Sequence, residues 1–279
     1  MTGFESVWYL LPLLCLLAGA LLILFLDLVV RQDVAPADAS ESGVHQGRSV
    51  MWFWGVALVS VVAAGASSFA LQSNSTVRVL SVLTYDGFTA YLWRLILVAL
   101  GMVVLLGESY VRHRITEPAF YYACLLAFGL GALLLAATTN AVMLLLAVDF
   151  LSLVGYILTG FLHYDKRSTE AAIKYLIYGS AVSAVMAFGL SWLYGLTGTT
   201  DYVATAEVLA GRFSWSGGEV IPPTSLIPVL VFVLAGFSFK IGAAPFHQWL
   251  PDAFEGAPAP VASALAVVPK LAGFAALVR

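Results

Sequence analysis

Eight long apolar runs dominate this chain and leave few ways for it to fold. They cover roughly residues 8–30, 51–71, 91–107, 118–138, 140–162, 170–197, 225–245 and 258–279. A helix rises ~1.5 Å per residue, so about 20 residues cross the ~30 Å hydrocarbon core of a bilayer. The third run is short and is expected to start nearer Phe88. Hydrocarbon offers no partner to backbone N–H and C=O groups, so runs of this kind fold as helices. The fold class expected is all-α, a polytopic transmembrane bundle of about eight spans. The first run is too long for a signal peptide's apolar region, and no Lys or Arg precedes Arg31. With 61% hydrophobic and 10% charged residues, a soluble domain is excluded. A net charge of −3 without a basic run argues against nucleic acid as a partner. The lipid bilayer is the expected one.

Loop charges set the orientation. Loops after spans one, three and five hold Arg31, Arg48, Arg112, Arg114, Lys166 and Arg167; the loop after span seven holds none. Loops after spans two, four and six hold only Arg78 and Arg212. This puts the odd-numbered loops in the cytoplasm and the N-terminus outside. Stretches 31–50 and 211–224 read as exposed linkers. Cys15 and Cys124 lie far apart in apolar runs and read as core residues. Gly129 and Gly131 read as close helix packing, because no dinucleotide fingerprint follows a strand. Haem, flavin and iron–sulfur spacings are absent, so any redox chemistry is expected on other chains. The eighth run reaches Arg279 without a polar exit, and the expectation is a helix interrupted there.

Charges inside the apolar runs carry the functional reading, because an ionisable group in hydrocarbon is costly and usually functional. On the fifth run, Asp149, Ser152, Tyr156, Thr159 and His163 fall within about 80° of helical arc. They form one polar seam, roughly 21 Å tall. Ser152 and Thr159 also fit simple helix–helix glue, and His163 fits an interfacial position. Lys174 opens the sixth run. It is either a partner for Asp149 or a lysine snorkelling to the headgroups. Gly179, Ser183 and Ala187, spaced by four, read as a packing stripe. Lys240 and Lys270 fall about 15 and 12 residues into their spans, near mid-bilayer, out of snorkelling reach. Asp86 and Arg94 flank the third span and read as an ion pair, and Asp27 reads as interfacial.

The stretch 227–270, IPVLVFVLAGFSFKIGAAPFHQWLPDAFEGAPAPVASALAVVPK, concentrates these features. Proline lacks an N–H and clashes with the carbonyl four residues back. Pro245 is therefore expected to free the Ile241 carbonyl beside Lys240, and Pro269 that of Leu265 near Lys270. His247 sits in the polar break, where helix capping and proton relay are both open to it. Trp249 reads as part of the interfacial aromatic belt. Burial disfavours a charged lysine, by up to ~3–5 pH units, and an approaching carboxylate restores it. Asp149, Lys174, Lys240 and Lys270, bridged by histidine and hydroxyl groups, thus supply the parts of a proton path.

The runs FKIGAAPFHQWLPDAFEGAPAPV and VVPKLAGFAALVR, with EAAIKYLIYGSAVSAVMAFGLSWLYGLTGT, resemble the antiporter-like membrane subunits of respiratory complex I. The EGAP and VPK wording is most similar to the N-type branch of that family. The resemblance covers nearly the whole chain. It implies about fourteen helices in the whole protein, with two inverted repeats of five, each containing a discontinuous helix. Spans four to eight correspond to the first repeat. The chain then divides into a three-helix membrane segment, 1–117, and a proton-translocating repeat, 118–279. The family's acidic residue on the fifth helix corresponds to Asp149. Its lysines correspond to Lys174, Lys240 and Lys270, with His247 in the adjoining break. The implied role is proton movement within an NADH:quinone oxidoreductase of the bacterial inner (plasma) membrane. No cofactor is implied on this chain; NAD, FMN, iron–sulfur clusters and quinone belong to partner subunits, and the other membrane subunits are its partners. Two departures stand out: Asp149 replaces the family's glutamate, one methylene longer, and the second repeat lies outside this sequence. Rival readings are a subunit of a cation/proton antiporter or membrane-bound hydrogenase, and a non-pumping membrane scaffold.

Overall fold

The computed structural model describes residues 5–33, 42–71, 76–211 and 223–279. A 3₁₀ turn (Glu5–Leu10) leads into α1 (Leu11–Asp33) and α2 (Ser42–Ala70). Two short strands follow, β1 (Val77–Val79) and β2 (Leu83–Tyr85). Next come α3 (Gly87–Arg114), α4 (Pro118–Ala137), α5 (Ala141–Thr159), α6 (Lys166–Thr197) and α7 (Tyr202–Leu209). The described chain closes with α8 (Pro223–Ile241), α9 (Trp249–Gly256) and α10 (Ala259–Val278). Among the described residues, 8 helices are long and apolar enough to cross a membrane, and they fall on the eight apolar runs.

Several boundaries move, each for a local reason. α3 has 28 residues, because Asp86 caps its start through the Thr89 amide (2.8 Å) and Glu108 pairs with Arg112 one turn on. An internal ion pair lets a helix carry charges that end an apolar run. α5 stops at Thr159, three residues short of the expected end, because Gly160 closes it against α6; a β-carbon at Gly160 would sit 2.8 Å from that of Ala172. His163 therefore lies outside the helix. The expected linkers shrink: α1 and α2 run into the first, leaving 34–41 outside the described residues, and 212–222 of the second also lie outside them.

α4 is the hub. Its apolar residues face inward on nearly every side, as expected of a helix hydrophobic all round. Glycines bring its neighbours close. A β-carbon at Gly129 would meet Leu100 of α3 at 2.4 Å, and one at Gly131 would meet the α5 backbone at Leu151 at 3.2 Å. Both glycines are therefore packing residues. Cys15 and Cys124 are free thiols on packed helices, Cys124 buried and Cys15 half-buried.

The β-hairpin was not legible as a strand pair. Its reversal places Leu80 and Ser81 at φ +53° and +60°, and the Val82 amide donates to the Val79 carbonyl (3.3 Å). The hairpin ties three chain junctions together on one face of the bundle. Thr139 N donates to Val82 O (3.0 Å), Tyr85 Oη donates to Ser68 O (3.3 Å), and Arg78 pairs with Asp201 (3.1 Å) at the head of α7. The expected Asp86–Arg94 pair does not form. Asp86 pairs instead with Arg279 (2.7 Å), while Arg94, two turns into α3, donates to Ser68 O (3.0 Å) and stacks over Phe69.

Candidate functional site

The site grows from the end of α8. That helix stops at Ile241 because Gly242 turns left-handed, φ +82°. The amides of Gly242 and Ala243 then both fold back onto the Ser238 carbonyl (2.8 and 2.7 Å). Glycine tolerates this conformation without the steric cost a side chain brings. A β-carbon at Gly242 would also meet Leu250 at 2.3 Å. The break is thus made by Gly242, and Pro245 lies beyond the helix, in the connection. This corrects the expectation that Pro245 frees the Ile241 carbonyl. Pro269, by contrast, lies inside α10.

α9 resumes the interrupted span, and Trp249 joins the two pieces. Its indole N–H donates to the Phe239 carbonyl near the broken end of α8 (3.2 Å). Its ring stacks on Tyr175 of α6, with centroids 4.1 Å apart and planes at 3°. Trp249 is only 2% exposed. It is an internal brace, which corrects its assignment to the interfacial belt. The physical reason is that a broken helix leaves carbonyls wanting donors, and in hydrocarbon only protein supplies them.

Lys240 sits at this break, 1% exposed. Its ammonium donates to Ser152 Oγ of α5 (2.9 Å), and Ser152 donates onward to the Val148 carbonyl (2.7 Å). Asp149 lies one turn before Ser152 on the same face. Its carboxylate accepts a close hydrogen bond from Ser183 of α6 and makes no direct ion pair with a described residue. Tyr156, one turn beyond Ser152, meets Tyr175 edge-on (4.6 Å) and fits only because residue 179 is glycine. The expected seam therefore exists from Asp149 to Thr159, facing α6 and α8. Thr159 is tied to its own helix through Gly155 O (2.8 Å). His163 is exposed and stacks on Tyr164.

The remaining candidates lie around this centre rather than in it. Lys174 is half-exposed and pairs with Glu170 (2.8 Å) and Asp252 of α9 (3.2 Å), not with Asp149. Nine residues separate Lys174 from Ser183, about 13 Å along α6, which puts the lysine beyond Asp149's reach. Lys270 lies on α10 with its ammonium 5.7 Å from the centre of the Phe254 ring of α9. One turn on, Gly273 packs against the Lys240 stem; a β-carbon there would lie 3.5 Å from Lys240 Cγ. The His247 side chain is exposed in the connection, and its carbonyl accepts from the Leu250 amide (3.0 Å), helping to start α9.

Sequence reasoning missed Ser183 as a partner of Asp149, reading it only as packing. It also missed Asp252 and Glu170, whose pairing with Lys174 leaves no local pattern across 78 residues for the first of them. Among the described residues, no group of three or more His, Cys, Asp or Glu is placed to hold a metal ion. The centre is two hydrogen-bonded pairs, Lys240 with Ser152 and Asp149 with Ser183, set one turn apart on α5. Hydroxyls both donate and accept, so each can pass a proton to or from the ionisable group it meets.

Residues 138–279 match the family model described as NADH:quinone oxidoreductase/Mrp antiporter, TM. The chain is 34% identical over 280 residues to NADH-quinone oxidoreductase subunit N of Anaeromyxobacter sp., covering 99% of this chain and 51% of that protein. It is 43% identical over 186 residues to NAD(P)H-quinone oxidoreductase subunit 2 of Synechocystis sp., covering 66% of this chain and 35% of that one. A chain of respiratory complex I from Thermus thermophilus with bound aureothin has the same fold, with a TM-score of 0.72 and 26% identity, over 95% of this chain and 52% of that chain. A chain of the archaeal membrane-bound sulfane sulfur reductase shares the fold alone (TM-score 0.70, 21% identity, over 98% of this chain and 53% of that chain). The chain spans about half the length of the curated relatives just named or less.

Proposed function

Because the chain belongs to the NADH:quinone oxidoreductase/Mrp antiporter transmembrane family, we propose that it works as a proton-translocating membrane subunit of an NADH:quinone oxidoreductase. It acts in the bacterial plasma membrane with its N-terminus outside. Residues 1–117 are a three-helix membrane segment, and 118–279 form the translocating repeat. Within the repeat, Lys240 is the central protonatable group and Asp149 the carboxylate that sets its charge. Ser152 holds the Lys240 ammonium and Ser183 holds the Asp149 carboxylate. Lys174, Lys270 and His247 hand protons to and from this centre. This chain transfers no hydride; NAD, FMN, iron–sulfur clusters and quinone are held by partner subunits. Quinone chemistry there drives the change in separation of Asp149 and Lys240 here.

One observation carries this reading: a fully buried lysine at a helix break, hydrogen-bonded to a serine one turn from a carboxylate. A burial so costly gains a scaffold nothing. The family description also names Mrp antiporters. Identity to quinone-oxidoreductase subunits favours the redox-linked reading. The test is Lys240→Ala in the assembled complex, reconstituted in vesicles, with proton uptake measured per quinone reduced. The expected result is a marked fall in that ratio; undiminished pumping removes Lys240 from the mechanism.

A further inference from the structure

A second polar feature lies far from the Lys240 centre. The α3–α4 reversal, through 114–116, and the α5–α6 reversal, through 161–167, line an open hollow of about 630 Å³. Arg114, His163, Asp165, Lys166 and Arg167 line its rim, and Phe161 lies among its walls. The charges are not mutually cancelled. Asp165 is engaged as a helix cap, accepting from the Arg167 amide (2.9 Å), and the Arg167 guanidinium leans 3.4 Å from Glu255. Arg114 and Lys166 are exposed and make no ion pair with a described residue. The lining residues hold three cations against one carboxylate, with Glu117 at the start of α4 and Glu255 against Arg167 just outside them; the start of the 32-residue helix α6 adds the positive end of its dipole.

Its position decides what it holds. Spans α3 and α5 end here and α4 and α6 begin, so the cavity lies where hydrocarbon gives way to headgroups. Phe161 stacks on Phe120 of α4 (5.9 Å), and Phe120 is 46% exposed on the surface of the bundle. A cationic rim thus stands beside an exposed apolar ring. That arrangement matches an amphiphile with an anionic head and a hydrocarbon tail. Basic pockets between membrane helices take such ligands.

We propose that this cavity binds the phosphodiester headgroup of an anionic phospholipid, with Arg114 and Lys166 on the phosphate and an acyl chain along Phe120. By the loop-charge count this is the cytoplasmic face, where anionic headgroups attract basic groups. A zwitterionic lipid carries its own cation and gains little from the same rim. The inference needs only that the chain spans a bilayer and is independent of proton transfer.

The test uses the full-length protein in its complex, in phosphatidylcholine vesicles carrying traces of photoactivatable phosphatidylglycerol or photoactivatable phosphatidylcholine. Cross-links to peptide 161–167 are counted against those to the α2 surface at Trp52 and Phe69. The expected result is strong phosphatidylglycerol labelling over phosphatidylcholine. Arg114→Gln should lower it about fivefold, and Arg114→Gln with Lys166→Gln about thirtyfold, with α2 labelling unchanged. Equal labelling by both lipids overturns the proposal, as does labelling indifferent to the substitutions. Loss of labelling in millimolar inorganic phosphate at constant ionic strength also overturns it, since the site is then one for free anions.

Discussion

Trp249→Phe tests the brace that holds the broken span together. The indole N–H donates to the Phe239 carbonyl, which keeps a second donor at the same distance in the Gly242 amide (3.2 Å). Losing one of two donors places the cost near the lower end of the ~1–3 kcal/mol for a buried group left wanting a partner. Phenylalanine keeps a ring on Tyr175 and Phe239 but leaves part of the indole volume empty, adding roughly 1 kcal/mol. The sum is roughly 2 kcal/mol, a factor of about thirty between docked and undocked α9. Hydrogen exchange on the full-length protein in nanodiscs reads this as a local opening. The amides of Phe246 and Leu250, bonded to Ala243 O (2.9 Å) and His247 O (3.0 Å), should exchange about thirtyfold faster. That of Ala262 in α10, bonded to Pro258 O, should not change. Tyr175→Phe is the control: its buried hydroxyl makes no hydrogen bond with a described residue, so its removal keeps the stack and should leave exchange unaltered. Unchanged exchange in Trp249→Phe would refute the brace and shift the holding role to the Lys174–Asp252 and Arg167–Glu255 pairs. An equal effect from Tyr175→Phe would refute it too.

Gly179→Ala should destabilise the α5–α6 contact by roughly 1–3 kcal/mol. The new β-carbon would lie 1.8 Å from Tyr156 Oη. A lower thermal midpoint of the solubilised protein checks this, and the loss should shrink in a Tyr156→Phe background. On the opposite face, burial pushes the Asp86 carboxyl up, but hydrogen bonds from the Thr89 amide and hydroxyl and the Arg279 guanidinium outweigh it and hold it below its ordinary 3.8. A carboxyl depressed by folding stabilises fully above the unfolded value and loses that contribution as pH falls through the folded one. Exchange of the Thr89 amide, corrected for intrinsic rate, should therefore rise on acidification below about pH 4. Asp86→Asn should abolish that acid step, and an unaltered step would assign it to another group.

The eight spans were legible because hydropathy alone fixes a helix in lipid, and the Asp149–Thr159 seam because the 3.6-residue period puts those residues on one face. The hairpin was hidden for a specific reason. Its turn uses Leu80 and Ser81 at positive φ, where the sequence signal for such turns is asparagine or glycine. The break after Lys240 was located within a few residues but ascribed to the wrong one. Proline is a visible breaker, whereas Gly242 is one glycine among 24, and its left-handed turn depends on the tertiary setting. Trp249 was misplaced because an indole suits an interface and a buried carbonyl equally well; only the fold says which is offered. Lys174 shows the same limit in part: Glu170, one turn back on α6, was open to the i,i+4 pattern, but Asp252 comes from a helix 78 residues away.

Against the glutamate that the resemblance implies at this position, Asp149 has a structural context of its own. A side chain one methylene shorter reaches less far from α5. Here the Asp149 carboxylate stops at Ser183 while the Lys240 ammonium stops at Ser152, so each charge is met by a hydroxyl instead of by the other charge. A direct pair in hydrocarbon is held by a large Coulomb attraction and is costly to part. Two charges each met by a hydroxyl are not locked to one another, so less must be broken to change their separation. Under the proposed function the serines belong to the centre with the ionisable groups, and the small-residue spacing that places Ser183 beside Gly179 serves both close approach of α5 to α6 and the solvation of Asp149.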